Sequence, residues 1–288
     1  MRIAWITDPH LNHVSSHDWD QWSDRIASTQ PDALLISGDI SEGDDVVLQL
    51  RRLADTVAVP LYFVLGNHDF YQSSIARTRQ AVIAASRELD ALNYLTDLGP
   101  IPLADGVFLC GEDGWGDATI GNYEASFIRL NDFEQIDDFR ETSPDRWKAK
   151  LQQLGAESAA RLQVKLAAVP RDATDVLVAT HIPPFRESCW YEGKTTDDNW
   201  APFFVCGEIG QTLMEFCQQR SDCNTTVICG HTHHDGVATL RENLTVYTGA
   251  AVYGSPGVEA VIEITPRSQK QANGASDRPV VELVKNLA

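Results

Sequence analysis

Three histidines lie within four positions near the end of the chain, in the stretch ICGHTHHDG at residues 228–236. Histidine seldom clusters for packing reasons, because its imidazole carries two polar nitrogens that need partners. Imidazole nitrogen is also a common ligand of transition metals. The stretch therefore raises the question of which of His231, His233 and His234 bind a metal ion.

Four motifs with the same kind of chemistry precede it, namely Asp8-Pro9-His10, Gly38-Asp39, Gly66-Asn67-His68-Asp69 and His181-Ile182-Pro183-Pro184. Each alone is weak, since most such motifs are plain turns. Carboxylate, imidazole and amide oxygen together suit Mn, Fe, Zn, Co or Ni rather than a thiolate site. The candidate ligands are Asp8, His10, Asp39, Asn67, His181, His231 and His233. Seven ligands are too many for one ion but suit two ions that share a bridging carboxylate.

The motifs follow short apolar runs rich in β-branched residues, which predict strands buried on both faces. The runs are RIAWIT (2–7), DALLIS (32–37), PLYFVL (60–65), DVLVAT (175–180) and TTVIC (225–229). Helical patterns lie between several of them, around 19–26 and at 45–57, 73–92 and 144–168, the last capped by Ser143. Because α/β sheets bind ligands at the carboxyl ends of their strands, we expect the motifs to meet at one edge.

The C-terminal part predicts antiparallel strands in GVATL, LTVYTGAAVYG, VEAVIEI and PVVELVK, with a polar loop at 266–279. No repeat and no linker divides the chain, so residues 1–288 are predicted to form a single domain. Segment 185–210 follows His181-Ile182-Pro183-Pro184 directly, which predicts a lid or specificity loop, or alternatively an oligomer contact. Its candidates for contacting a phosphate or a ring are Arg186, Trp190, Tyr191, Lys194 and Trp200.

The 288 residues carry a formal net charge of −18, with an isoelectric point near 4.7. Such a charge repels nucleic acid and anionic membrane surfaces, so neither is an expected partner. It would also repel a phosphorylated substrate unless bound cations reverse the local potential. The chain shows no signal-peptide pattern and no apolar run of the ~20 residues that span a membrane, which predicts a cytoplasmic location. The sequence does not indicate an oligomeric state.

The remaining polar and sulfur-containing residues have ordinary interpretations. The six cysteines form no CxxC pair and are predicted to be reduced and mostly buried, with a Cys189–Cys206 bridge as the alternative. His13 is predicted to be a loop residue or else to line the pocket. The acidic residues of one cluster are predicted to lie on a solvated surface: Asp132, Asp137 and Asp138.

In order along the chain, the motifs D-x-H, G-D, G-N-H-D, H-x-P-P and G-H-T-H resemble those of the calcineurin-like metallophosphoesterases. Five motifs in that order are far more specific than any one of them. The resemblance implies an α/β fold, a four-layer α/β/β/α sandwich with two central mixed β-sheets. It also implies two divalent or trivalent metal ions as cofactors, with Mn, Fe or Zn as the main candidates.

The resemblance assigns the motif residues to three sets: Asp8, His10 and His233 at one metal ion, Asn67, His181 and His231 at the other, and Asp39 bridging them with a water or hydroxide. His68 would not bind metal but would face the substrate, where it stabilises a phosphoryl oxygen or protonates the leaving group. In the family an acidic residue often orients that histidine. Here either Glu42, at a position where Asp is more usual, or Asp69 would do so.

The implied reaction is hydrolysis of a phosphomonoester or phosphodiester of a small phosphorylated molecule by the metal-bridging hydroxide. Ser/Thr protein phosphatases typically carry GNHE after Arg, whereas this chain has GNHD after Leu65, which argues against a protein substrate. The GNHD form is shared with cyclic-nucleotide phosphodiesterases, the first alternative. A non-catalytic metal-binding scaffold for protein interaction is the second, and the presence of every ligand and of His68 disfavours it.

The three clustered histidines then separate into two ligands and one neighbour. If the chain leaves the fifth strand still extended, side chains two residues apart point the same way. His231 and His233 would then share a face towards the metal ions. His234 would point away from them, as a neighbouring or surface residue.

Overall fold

The computed structural model describes residues 1–265 and 280–284. Two six-stranded β-sheets lie at its centre, with helices on their outer faces. The strands are β1 (Arg2–Ile6), β2 (Ala33–Ser37), β3 (Leu61–Val64), β4 (Leu92–Tyr94), β5 (Ile101–Ala104), β6 (Val107–Glu112), β7 (Asp175–Thr180), β8 (Trp190–Tyr191), β9 (Lys194–Thr195), β10 (Asn224–Cys229), β11 (Gly236–Arg241), β12 (Leu244–Thr248), β13 (Ala260–Thr265) and β14 (Val280–Val284). The α-helices are α1 (Ser16–Ser28), α2 (Asp45–Val57), α3 (Ile75–Glu88), α4 (Asp132–Gln135), α5 (Asp137–Arg140), α6 (Trp147–Ala167), α7 (Ala201–Phe204) and α8 (Gly207–Gln219).

The first sheet has the strand order β14-β13-β1-β2-β3-β4, and the second has the order β11-β12-β10-β7-β6-β5. Strands β1 to β4 are parallel, while β13 pairs antiparallel with both β1 and β14. In the second sheet β6, β7, β10 and β12 are parallel, and β5 and β11 are antiparallel edge strands. Both sheets are therefore mixed, which confirms the predicted fold.

The strands divide their side chains between a layer that lies between the two sheets and the outer helical layers. In β1, Ile3 and Trp5 pack between the sheets, whereas Ala4 and Ile6 pack on the side covered by α1, α2 and α3. Helices α6 and α8 cover the outer face of the second sheet. Because both faces of each central strand are buried, these strands are continuous apolar runs without polar alternation.

Several sequence predictions differ from the structure in detail. The helix predicted at 73–92 ends at Glu88, because Leu92 already belongs to β4. Ser143 makes no capping hydrogen bond, and a single 3-10 turn at Pro144–Arg146 precedes α6. The tail is not wholly antiparallel, because β12 pairs parallel with β10. The predicted loop at 266–279 lies outside the described residues.

The six cysteines are all buried as free thiols, so Cys189 and Cys206 form no bridge. Trp19 and Trp22 of α1 are buried in the core on the outer side of the first sheet. Across residues 1–265 and 280–284, no helix is long and apolar enough to cross a membrane.

Candidate metal centre

Five strands end at the same edge of the two stacked sheets. Strands β1, β2 and β3 are parallel neighbours in the first sheet, and β7 and β10 are parallel neighbours in the second. The loops that follow them carry the candidate ligands: Asp8 and His10 after β1, Asp39 after β2, Asn67 after β3, His181 after β7, and His231 and His233 after β10. The fold thus brings together side chains that lie more than two hundred positions apart in sequence.

The carboxylates and imidazoles form two groups that share Asp39: Asp8, His10, Asp39 and His233 in one, and Asp39, His181 and His231 in the other. Within each group the potential ligand atoms lie within 4.8 Å of one another. The two oxygens of Asp39 face different groups, since Oδ2 is 3.7 Å from His10 Nε2 and Oδ1 is 3.4 Å from His181 Nε2. A carboxylate that divides its oxygens in this way has the geometry of a bridging ligand.

The tautomer of His181 follows from its hydrogen-bond partner. Its Nδ1 lies 2.9 Å from the carbonyl oxygen of Ser37, which can only accept a hydrogen bond, so Nδ1 carries the proton. Its Nε2 then presents a lone pair 3.1 Å from Asn67 Oδ1 and 3.4 Å from Asp39 Oδ1. Three acceptor atoms that face one another in this way need a cation between them, either a proton or a metal ion.

The orientation of the Asn67 amide is set by Asp132. Asn67 Nδ2 donates to Asp132 Oδ1 at 2.9 Å, which leaves Asn67 Oδ1 on the side of His181. Asp132 is buried, so the prediction that it lies on a solvated surface is wrong. The start of α4, which carries Asp132, packs against the site, where the Tyr71 hydroxyl also donates to Asp132 at 2.8 Å. Burial raises the pKa of Asp132, and these hydrogen bonds oppose the rise.

The group that contains Asp8, His10 and His233 has the same excess of acceptor atoms. His10 Nε2 is 3.1 Å from His233 Nε2, which is 3.4 Å from Asp8 Oδ1. In the second group, His231 Nε2 is buried without a hydrogen-bond partner among the described residues. A buried imidazole nitrogen without a proton partner, set among carboxylates, suits a metal ligand. The donor set therefore fits metal ions at both groups.

Burial shifts the proton affinities of these side chains strongly. It lowers the pKa of His10 to about 2 and the pKa of His231 well below its usual value. Burial and the neighbouring charge of Asp8 raise the pKa of Asp39. His10 and His231 are thus held in the neutral form, which is the form that binds metal. Burial opposes protonation of His233 as well, but the hydrogen bond and the charge of Asp8 outweigh it and raise the pKa of His233.

Five of the seven candidate ligands have backbones in the left-handed region: Asp8 (φ 46°), His10 (φ 42°), Asp39 (φ 52°), His231 (φ 70°) and His233 (φ 58°). Such a conformation is unfavourable for residues with a side chain, by about 1–3 kcal/mol each. Backbone strain of this kind concentrates where side chains must be aimed at one point. The ends of the strands thus turn sharply so that their side chains converge.

The chain is not extended beyond the fifth strand, so the condition for a shared face is not met: β10 ends at Cys229, and both His231 and His233 are left-handed. Their side chains nevertheless reach the two groups, one each. His234 lies in neither group of the described residues, and its ring packs against Tyr191 at 4.6 Å. A turn, rather than an extended strand, thus directs the side chains of the two candidate ligands away from that of His234.

His68 lies beside the two groups without belonging to either within the described part of the chain. Its ring stacks on Tyr71, with centroids 4.2 Å apart, and meets the His10 ring edge-on at 4.7 Å. Its backbone N–H donates to Asp39 Oδ1 at 2.9 Å. Burial lowers the pKa of His68 to about 3. The neutral ring therefore stands next to the carboxylate of Asp39, which the two groups share.

Neither acidic residue expected to orient His68 is bonded to its ring. The Asp69 carboxylate accepts hydrogen bonds from the backbone N–H groups of Ser41 and Gly66, at 2.9 and 2.7 Å. Among the described residues no hydrogen bond joins Glu42 to His68, and His68 Nδ1 is buried without a partner. Ring contacts with Tyr71 and His10 hold the imidazole of this histidine instead.

Tyr253 is a site residue that the sequence did not reveal. Its ring centroid lies 4.4 Å from that of His10 and 5.1 Å from that of His233, and 49% of its surface is exposed. Burial and the charges of Asp39 and Asp8 raise its pKa to about 12, so it stays neutral. Its segment, LTVYTGAAVYG, resembles a plain strand, whereas β12 ends at Thr248 and the chain then loops over the site.

The sequence pattern of calcineurin-like phosphoesterases matches residues 1–235, which include all of the candidate ligands. The chain belongs to the calcineurin-like phosphoesterase family. Members of this family use a dinuclear metal centre, in agreement with the two groups that share Asp39. This calcineurin-like phosphoesterase is therefore a hydrolase of phosphoester bonds. No curated protein sequence matches the chain.

Three solved structures share the fold of this calcineurin-like phosphoesterase. A phosphopantetheinyl hydrolase from Mycobacterium tuberculosis aligns over 97% of this chain and 95% of its own, with a TM-score of 0.64 and 14% identity. A dimetal phosphatase from Danio rerio aligns over 91% and 92%, with a TM-score of 0.56 and 13% identity. The protein TT1561 of Thermus thermophilus aligns over 98% of both chains, with a TM-score of 0.54 and 11% identity.

Segment 185–210 of this calcineurin-like phosphoesterase contains the β8–β9 hairpin and α7. From α7, the Phe204 ring lies 4.4 Å from that of His231. Arg186 is held within the segment, because it pairs with Asp198 at 2.5 Å and donates to the carbonyl of Thr196. Of the five predicted contact residues, Tyr191 and Trp200 keep large exposed aromatic surfaces.

Gly66 is required by the close approach of the loops in this calcineurin-like phosphoesterase. A Cβ at this position would press on Asp39 Oδ1 and lie 2.7 Å from His181 Cε1. We expect Gly66→Ala to lower the free energy of unfolding by about 1–3 kcal/mol, because the packed loops must shift. Gly99→Ala is the matched control, since nothing lies within 4 Å of its added Cβ. Equal denaturation midpoints for the two variants would contradict this prediction.

Proposed function

We propose that this phosphoesterase hydrolyses a phosphomonoester or phosphodiester of a small molecule, with two metal ions held by the seven ligands and bridged by Asp39. The observation that carries the proposal is the division of the Asp39 oxygens between two groups of buried ligands. Mixed nitrogen and oxygen ligands favour manganese, iron or zinc. When bound, such ions supply Lewis acidity, which activates water and neutralises phosphoryl charge.

The side chains of the site have separate roles in binding the ions and the substrate. The acceptor atoms of His181, Asn67 and Asp39 converge and, with His231, would hold one ion. His10 and His233 with Asp8 would hold the other. His68, neutral and next to Asp39, donates an N–H hydrogen bond to the substrate phosphate. Bound cations also explain how a chain with a net charge of −18 attracts an anion.

Aromatic side chains around the site support an organic substrate. Tyr253 covers the rings of His10 and His233, and Tyr191 and Trp200 leave exposed aromatic surface on segment 185–210. We propose that residues 1–288 form one domain and that segment 185–210 is its lid or specificity loop, since Phe204 contacts His231 directly. A ring-bearing substrate, including a cyclic nucleotide, would pack its planar group on such surfaces.

The proposal is tested by measuring the metal content of the purified protein together with hydrolysis of mono-aryl and bis-aryl phosphates. We expect two transition-metal ions per chain and turnover that is lost with a chelator and restored by Mn²⁺ or Zn²⁺. A panel of phosphorylated metabolites that includes cyclic nucleotides then defines the substrate. A protein that binds metal but hydrolyses no phosphoester would instead support the scaffold alternative.

Tyr253 is expected to affect substrate binding more than turnover. Tyr253→Ala should raise the KM for an aryl phosphate by about 3–10-fold, because a stacked aromatic contact contributes about 0.5–1.5 kcal/mol. Tyr253→Phe is the matched control, since it keeps the ring and loses only the hydroxyl. Steady-state kinetics that show equal KM values for Tyr253→Ala and the wild type would contradict a stacking role.

A further inference from the structure

A single buried carboxylate connects a metal ligand to the histidine that faces the substrate. Asp132 begins α4 and is only 4% exposed. Its Oδ1 accepts one hydrogen bond from Asn67 Nδ2 at 2.9 Å and another from the Tyr71 hydroxyl at 2.8 Å. The two donors belong to the loop after β3, whereas Asp132 is more than sixty residues further along the chain.

The first hydrogen bond decides which end of the Asn67 amide faces the ligands. A carboxylate only accepts hydrogen bonds, so it selects the NH₂ end of the amide and turns the carbonyl towards His181. In the opposite orientation the NH₂ group would face the ligands. It has no lone pair to offer a metal ion, and the amide would cease to be a ligand.

The second hydrogen bond fixes the ring that carries His68. The Tyr71 and His68 rings stack at 4.2 Å with an interplanar angle of 26°. His68 Nδ1 has no hydrogen-bond partner among the described residues, so ring contacts determine the position of the imidazole. Anchoring the Tyr71 hydroxyl on Asp132 therefore restrains His68 through the stack.

We propose that Asp132 is a positioning residue for the dinuclear centre, acting on one metal ion through Asn67 and on the substrate phosphate through Tyr71 and His68. The inference rests on the proposed function of those residues. It assigns a role to a segment that carries none of the family motifs. It also links an acidic residue to His68 through the Tyr71 ring, whereas the Asp69 carboxylate is bonded to backbone N–H groups instead.

The effect of Asp132 on the metal site through Asn67 is tested by titrating the metal-free protein with Mn²⁺ in a calorimeter. We expect Asp132→Ala to weaken one of the two sites by about 10–100-fold, the usual effect of losing a partner that orients a ligand. The other site should keep its affinity. Asp137→Ala is the matched control, because it removes a partly exposed carboxylate paired with Arg140 on the neighbouring α5.

The effect of Asp132 on His68 through Tyr71 is tested separately with Tyr71→Phe, which removes the hydroxyl but keeps the stacked ring. We expect both Mn²⁺ affinities to match the wild type, while kcat falls by about 3–10-fold at unchanged KM. A purely structural role for Tyr71 would not split the two readouts in this way. Loss of Mn²⁺ affinity in Tyr71→Phe would overturn the assignment of separate roles to Asn67 and Tyr71.

The wild-type titration separates failure of this inference from failure of the proposed function. If the wild type binds no Mn²⁺ pair, the proposed function fails and the inference fails with it. If the wild type binds two ions and folded Asp132→Ala does so with equal affinities, only the inference is overturned. Should Asp132→Ala not fold, Asp132→Asn replaces it: losing the charge should weaken one site about fivefold, and wild-type affinities would overturn the inference.

Discussion

Replacing Asp39 with Asn is expected to lower kcat/KM for an aryl phosphate by at least about a thousandfold. The substitution keeps the shape of the side chain and one carbonyl oxygen, which can still accept the hydrogen bond from the backbone N–H of His68. It removes the negative charge and converts the second oxygen into an NH₂ group that cannot bind metal. Because the two Asp39 oxygens face different groups, one group loses its shared ligand.

Metal content and kinetics measured on the same samples check this prediction. We expect about one firmly bound ion per chain in Asp39→Asn where the wild type binds two. The control is Asp44→Asn, which makes the same substitution on a surface carboxylate that pairs with Arg77. Turnover of Asp39→Asn within tenfold of the wild type would exclude Asp39 as the bridging ligand.

The sequence predicted the central strands and the convergence of the candidate ligands because both depend on local patterns. Buried parallel strands are continuous apolar runs, and polar residues at their carboxyl ends must meet at one edge of the sheets. Asp8 and His181 illustrate the point, since each closely follows its strand. Edge strands such as β5 were harder to predict, because a short segment of half-exposed residues that includes a proline shows no clear pattern of apolar residues.

The rest of the site depends on contacts between distant segments, which no local pattern records. Asp132 lies in an acidic cluster that is typical of a surface, and only the return of its loop to Asn67 and Tyr71 makes it buried. Tyr253 lies in an apolar stretch that resembles a strand, and it reaches His10 only because the chain loops after Thr248. Both are partners of motif residues rather than motif residues themselves.

His68→Ala is expected to lower kcat by about 10²–10³-fold while leaving both metal ions bound. The side chain lies outside the two groups of ligands formed by the described residues, so its loss should not change metal content. His17→Ala is the matched control, because His17 is exposed and hydrogen-bonded only to the neighbouring Gln21 within the described part of the chain. Loss of metal from His68→Ala would contradict this division of roles.

The leaving group of the substrate then distinguishes the two roles that the sequence leaves open for His68. Burial lowers its pKa to about 3, and nearby cations would lower the pKa further, since like charges disfavour the protonated form. At neutral pH the ring is therefore neutral and suited to donate a hydrogen bond to a phosphoryl oxygen rather than a full proton to the leaving oxygen. We expect His68→Ala to lose the same factor in kcat on nitrophenyl, phenyl and alkyl phosphates. A loss that grows with the pKa of the leaving alcohol would show instead that His68 acts as the general acid.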